Sequence, residues 1–170
     1  VVSASAASYN NLTDKDEIVN KDAVSMLTTL GVINGKEDGS YFDPTGNVTR
    51  AEMAKMICVV LNGGKDPSLG DVTKYSYTDT VGHWAAPYIE FCTNRGIVAG
   101  KGDGTFAPNE TVTGSQAAKM LLVAAGYQSA IEGFTGANWE VNTNVRANAV
   151  GLYDGLDINP SQGLTRDSAA

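Results

Sequence analysis

One histidine and two cysteines are all the imidazole and thiol groups that 170 residues offer for metal binding or nucleophilic chemistry. Two cysteines, Cys58 and Cys92, are too few for a disulfide framework, and no Cys-x-x-Cys occurs. His83 stands alone, so no histidine cluster can be assembled for a metal, and a Cys92–His83 nucleophile is disfavoured. Basic residues are scarce too: 12 Lys and Arg against 19 Asp and Glu leave a net charge of −7. Generic attraction to nucleic acid or to an anionic bilayer needs a basic surface, so neither partner is expected. No apolar run reaches the length of about 18 residues that a membrane-spanning helix needs, so no membrane insertion is expected. The apolar fraction, 42%, is slightly below the usual globular range but far too high for a disordered chain, and glycine is abundant, at 19 residues, which implies many tight turns.

The opening Val1-Val2-Ser3-Ala4-Ser5-Ala6-Ala7 carries small residues in an A-x-A arrangement. Residues 1–11 read equally as the remnant of a secretory signal or as an ordinary N-terminus.

An internal repeat organises the rest. Residues 31–56 (GVINGKEDGSYFDPTGNVTRAEMAKM) align with residues 96–120 (GIVAGKGDGTFAPNETVTGSQAAKM) at twelve identical pairs, with one inserted residue, Tyr41. Among these pairs are Gly31/Gly96, Phe42/Phe106, Pro44/Pro108, Thr49/Thr113 and Lys55/Lys119. Leu12-Thr13-Asp14 and Tyr77-Thr78-Asp79 precede Gly31 and Gly96 at equal distance. A degenerate third copy keeps the spacing through Trp139, Gly151, Gly155, Ile158-x-Pro160 and Thr165, with a shorter loop.

Each copy predicts a helix, a turn, and a second helix. Ala23, Met26, Leu27 and Leu30 draw an apolar stripe at helical period in the first copy, and Trp84, Ala85, Tyr88, Ile89 and Cys92 do so in the second. Gly31, Gly96 and Gly151 suit left-handed caps at the helix ends. Asp38-Gly39 and Asp103-Gly104 signal tight turns. Thr49 and Thr113 open the second helices, and Thr49-Arg50-Ala51-Glu52 reads as a capping box. Cys58 and Cys92 align with Leu122 and Leu27, so both are expected in the core. The units run 12–62, 76–126 and 138–170, joined by connecting segments 63–75 and 127–137, and the third is expected to be incomplete. A two-helix unit cannot bury its own apolar faces, so an all-α architecture follows in which three helix-loop-helix repeats share a central bundle.

Tyr77-Thr78-Asp79, Trp84-Ala85, Gly96-Ile97-Val98-Ala99-Gly100, Asp103-Gly104-Thr105-Phe106-Ala107-Pro108 and Thr49-Arg50-Ala51-Glu52 together resemble the S-layer homology family over nearly the whole chain. The resemblance implies a pseudo-threefold module whose inter-unit grooves bind secondary cell-wall polysaccharide, often capped by a pyruvate ketal, and anchor exported proteins to the Gram-positive envelope. Departures imply unequal grooves. Gly114 stands where the motif arginine belongs in unit two, Val19 where Trp84 stands, and Phe134 where Asp79 would align.

Candidate ligand-binding residues follow. Arg50 and Arg166, at the starts of second helices, suit bidentate bonds to a carboxylate, with the helix N-terminus adding positive potential. Trp84 and Trp139 are expected to start buried stripes, and either could also offer a face to a sugar. Asp79 could accept sugar hydroxyls, cap a helix or pair with an arginine. Lys101 beside Gly102 could meet an anion, and Gln116 could give neutral hydrogen bonds where unit two lacks arginine, with Ser115 and Arg146 as weaker candidates. Gly100 to Thr105 lacks the Gly-Lys-Ser/Thr ending of a phosphate loop, and the Asp-Gly turns lack the alternating ligands of a calcium loop. No cofactor, metal or catalytic residue is expected. The expectation is a non-catalytic, secreted module that binds anionic cell-wall polysaccharide, with self-assembly in a surface layer second and a wall-degrading hydrolase third.

Overall fold

The computed structural model describes residues 8–36 and 39–170. The Ala4/Ala6 signal reading and the Asp38 half of the first turn lie outside these residues. The regular elements among the described residues are helices, with isolated β-bridges and no strand. The helices are α1 (Lys21–Thr29), α2 (Arg50–Leu61), α3 (Ala86–Asn94), α4 (Gly114–Ala124), α5 (Ser129–Glu132), α6 (Trp139–Ala149) and α7 (Arg166–Ala169).

The second helices begin where the sequence places them. Thr49 accepts from the Glu52 N–H at 3.1 Å while Glu52 accepts from the Thr49 N–H at 2.8 Å, a complete capping box. Gln116 does the same for Thr113, and Thr165 caps Ser168. Gly31, Gly96 and Gly151 close the first helices at φ of 73°, 69° and 77°.

The units are joined through backbone at those helix starts. Val112 N–H donates to the Val48 carbonyl, Leu164 N–H to Val112, and Val48 N–H to Leu164, at 2.8, 2.9 and 3.1 Å. The first two N–H groups of each second helix then reach into the next unit's loop. Arg50 and Ala51 donate to Glu110 and Pro108, Gly114 and Ser115 to Gln162 and Pro160, Arg166 and Asp167 to Gly46 and Pro44. Orphan donors that a helix ordinarily leaves to solvent or a ligand are thereby satisfied between units.

Each of the first two loops is pinned by its aspartate. Asp14 accepts from Phe42 and Asp43 N–H at 2.9 and 2.7 Å; Asp79 accepts from Phe106 and Ala107 N–H at 2.8 and 2.7 Å. Asp43 and Ala107 sit at φ of 60° and 59°, a left-handed conformation costly for a side chain with a Cβ, and the carboxylate offsets it. In the third loop Asn159, the residue immediately before Pro160, is not at positive φ, so the carboxylate has no counterpart. Phe134 occupies that position instead and is fully buried with Ala118, Leu122 and Ala147.

Phe42, Phe106 and Phe134 have no exposed surface, and burying each contributes about 2–3 kcal/mol. The largest cluster joins α2, α3 and α4 through Met53, Ile57, Ile89, Ile97 and Ala117.

Three local expectations change. In α1 the inward residues are Val24 and Thr28, with Leu27 partly buried, while Met26 and Leu30 are exposed. Thr28 is tolerated inside because its hydroxyl donates to the Val24 carbonyl at 2.8 Å. Trp84 is 54% exposed rather than in the core, because the buried stripe begins at Ala85 and Ala86. Segment 127–137 is not only connection but contains α5, tied to α6 by the Arg146–Glu132 pair at 2.7 Å.

Candidate functional site

Where units one and two meet the start of α6, a groove of about 390 Å³ opens. One wall is the backbone of Val98, Ala99 and Gly100 with Lys101. A second is the α4 face bearing Gln116 and Lys119, and Trp139 at the head of α6 closes the third side. Arg50 enters from α2. Three cations therefore line the groove and no carboxylate does, in a chain of net charge −7.

Arg50 is 6% exposed. Its Nε donates to the Phe106 carbonyl and one terminal nitrogen to the Ala99 carbonyl, both at 2.9 Å, and the guanidinium lies 4.5 Å from the centre of the Phe106 ring. Two of five N–H donors are committed, which leaves three. Burial lowers its pKa, and the nearby charge of Glu110 opposes that. Lys119 sits 5.6 Å over the Trp139 ring and has no ion pair among the described residues. Burial holds its pKa below the ordinary lysine value, and the Arg50 charge lowers it further. Two cations crowding one partly desolvated space make a site whose electrostatic energy falls when an anion enters. Lys101 pairs with Glu110, and Gln116 uses its side-chain oxygen to cap α4.

The other predicted residues lie elsewhere. Asp79 is outside the groove, with both oxygens engaged by the Phe106 and Ala107 N–H groups. Gly102 is at the exposed turn, at φ 93° with open space around it. Trp84 stacks loosely beside His83 and Tyr88, with ring centres 5.5 and 6.4 Å away. Arg166 makes the Arg50 pattern at the seam between units three and one. It donates to the Phe42 and Asn34 carbonyls at 2.7 and 3.1 Å and lies 5.0 Å from the Phe42 ring. Acids act on it as they do on Arg50: Glu52 and Asp43 on Arg166, Glu110 and Asp79 on Arg50, and Lys36 pairs with Asp43 as Lys101 does with Glu110. Lys55, which aligns with Lys119, pairs with Asp66 at 3.1 Å. Ser115 is fully buried, its hydroxyl held by Glu140, Asn144 and the Pro160 carbonyl, so it is a lock of the third seam. The helix N-termini add no free N–H to the groove, since neighbouring loops occupy their first donors.

Lys119 belongs to no binding motif of the sequence, although the Lys55/Lys119 pair is visible in the repeat. Its spacing of three from Gln116 puts both on one helix face. What separates it from Lys55 is the absence of a partner such as Asp66, which a repeat alignment does not record.

The sequence pattern of the S-layer homology domain matches residues 11–54 and 76–118, half of the chain. The chain belongs to the S-layer homology domain family. It is 32% identical to cell surface glycoprotein 1 of Acetivibrio thermocellus over 123 residues, 69% of this chain and 5% of that protein. It is 30% identical to the S-layer protein sap of Bacillus anthracis over 112 residues, 66% of this chain and 13% of that protein. It is 35% identical to a cellulosome-anchoring protein of A. thermocellus over 83 residues, 48% of this chain and 18% of that protein. The chain spans less than a fifth of the length of each of these relatives. Membership in the S-layer homology family and the character of these relatives support a cell-surface anchoring module. Among the described residues, no helix is long and apolar enough to cross a membrane, and no group of three or more His, Cys, Asp and Glu is placed to hold a metal ion.

Proposed function

We propose that the chain is a non-catalytic anchoring module that binds an anionic cell-wall polysaccharide in the groove of Arg50, Lys101, Gln116, Lys119 and Trp139. One observation carries the reading: three cations and no acid line one groove of an acidic protein. A carboxylate of the glycan, such as a pyruvate ketal, would sit between the free donors of Arg50 and the Lys119 ammonium, where charge-assisted bonds are strongest. Trp139 would present a ring to the apolar face of a sugar. Gln116, whose oxygen caps the helix, would offer its NH₂ group. The equivalent surroundings of Arg166 suit an anion less well, because Lys55, which aligns with Lys119, is already paired with Asp66.

The test is co-sedimentation with purified sacculi before and after extraction of the secondary polymer. Binding is expected only before extraction and is expected to weaken at least tenfold in Lys119→Ala, the size of a lost charge-assisted hydrogen bond. Equal pelleting with both preparations would overturn polymer recognition.

Self-association is the second reading. An apolar groove of about 580 Å³ between the C-terminal ends of α2 and α4 and the end of α6 exposes Val60, Leu61 and Val150. Light scattering over a concentration series tests it, and a monomer throughout would exclude it.

A further inference from the structure

The two cysteines face each other across the seam of units one and two. Cys58 lies on α2 and Cys92 on α3, their sulfurs 3.6 Å apart, with 1% and 0% of their surfaces exposed. Packing alone does not call for sulfur at this place. At the next seam the aligned slots hold Leu122 on α4 and Ala147 on α6, buried in one cluster. The same helix pairing is thus filled by plain hydrocarbon in one seam and by two thiols in the other. The chain has no other cysteine, so neither thiol has a competing partner within it.

We propose that Cys58 and Cys92 form an intramolecular disulfide that cross-links units one and two. The oxidant is a disulfide donor, either a small-molecule disulfide or that of a thiol oxidoreductase. One cysteine thiolate attacks the donor, forming a mixed disulfide and releasing one donor thiol. The second cysteine thiolate then attacks the protein-side sulfur, closing the Cys58–Cys92 bond and releasing the second donor thiol. Two electrons pass to the donor, and the two cysteine protons end on its two thiols. A cell-surface module works outside the reducing cytosol, where such a bond persists. Because both sulfurs are buried, the exchange takes place while α3 is still undocked from α2, and the folded protein afterwards shields the bond from reductant. The bond spans 34 residues of chain, including the whole 63–75 connection, and ties α2 of unit one to α3 of unit two.

The test refolds the chain from denaturant in parallel, once in an oxidised and reduced glutathione mixture and once in excess phosphine reductant. After glutathione refolding, maleimide labelling in denaturant is expected to find no thiol, against two in the reduced sample. Non-reducing digestion should yield one linked peptide pair, two hydrogens lighter than the sum of its parts. The oxidised form should melt on the order of 10 °C higher. The double variant Cys58→Leu, Cys92→Ala, which copies the pair at the neighbouring seam, should fold and show no redox-dependent melting. Two reactive thiols per chain after glutathione refolding, or disulfides only between chains on a non-reducing gel, would overturn the proposal.

Discussion

A Cβ built on Gly114 would sit 2.9 Å from the Cα of Pro160. Unit two lacks the arginine that Arg50 and Arg166 provide, and at its helix start the loop of unit three lies against the bare glycine. Restoring the repeat pattern by Gly114→Arg is therefore expected to destabilise the protein by at least about 2 kcal/mol, through overpacking against backbone that cannot yield. Urea unfolding measures this, and an unchanged midpoint would show that the loop can move aside.

Arg50 holds a seam as well as facing the groove. Arg50→Ala leaves the Phe106 and Ala99 carbonyls without their donor, and a loss of about 2–3 kcal/mol in stability is expected. Arg50→Lys keeps the charge but not the forked geometry, so it should recover only part of that loss. Denaturant titration of the three proteins decides it, and equal stability of all three would mean that the two hydrogen bonds contribute nothing net.

Asp79 and Ala107 make a linked pair of predictions. Asp79→Ala uncouples the strained turn and is expected to cost about 2–4 kcal/mol. Ala107→Gly removes the left-handed penalty at φ 59°. It should be neutral or stabilising by up to about 1 kcal/mol, since the lower cost of the turn is partly offset by a more flexible unfolded chain. Thermal melts of the two variants give the comparison, and a destabilised Ala107→Gly would contradict it.

The groove has a charge test that spares the fold. Gln116→Glu keeps the capping box, because Glu52 already serves that role on α2. It also introduces an acid beside Lys119, so binding of an anionic glycan should fall about tenfold or more with little change in melting temperature. Trp139→Ala should weaken binding as well. Calorimetric titration with a carboxylate-bearing wall fragment reads both, and undiminished affinity in Gln116→Glu would remove the anion from this groove.

The pH dependence follows from Lys119. Its pKa in the folded protein lies below the ordinary 10.5 because burial, and then the Arg50 charge, disfavour the ammonium. The folded state pays that penalty at neutral pH and is relieved of it as the pH rises through the lowered pKa, so this term makes stability rise across the window up to 10.5. Affinity for an anion should fall over the same window, as the ammonium is lost. Lys119→Gln should abolish both trends, which stability and binding measured from pH 7 to 10.5 would check.

The scaffold was legible because glycine, threonine and the Asp-Gly turn recur at fixed spacing, and these residues set helix ends by local backbone chemistry. Thr49, Thr113 and Thr165 cap the helices their positions announce. The seams were less legible. Arg50 and Arg166 bond to carbonyls, which every residue possesses, so no side-chain pattern betrays the partner. Trp84 and Trp139 occupy one repeat position, yet one is half exposed beside His83 and the other lines a groove, because their surroundings come from different units. Lys55 and Lys119 diverge for the same reason, through Asp66 in a connection outside the repeat.

The mutual capping of helix starts has a consequence for how the molecule comes apart. In an open stack of repeats the outermost member contacts a single neighbour and can fray while the others stand. Here Val48, Val112 and Leu164 each donate to one unit and accept from another, so opening any seam uncaps a helix whose own loop caps the next. Melting is then expected as a single all-or-none event, and a protease that cuts one unit should dissolve all three together.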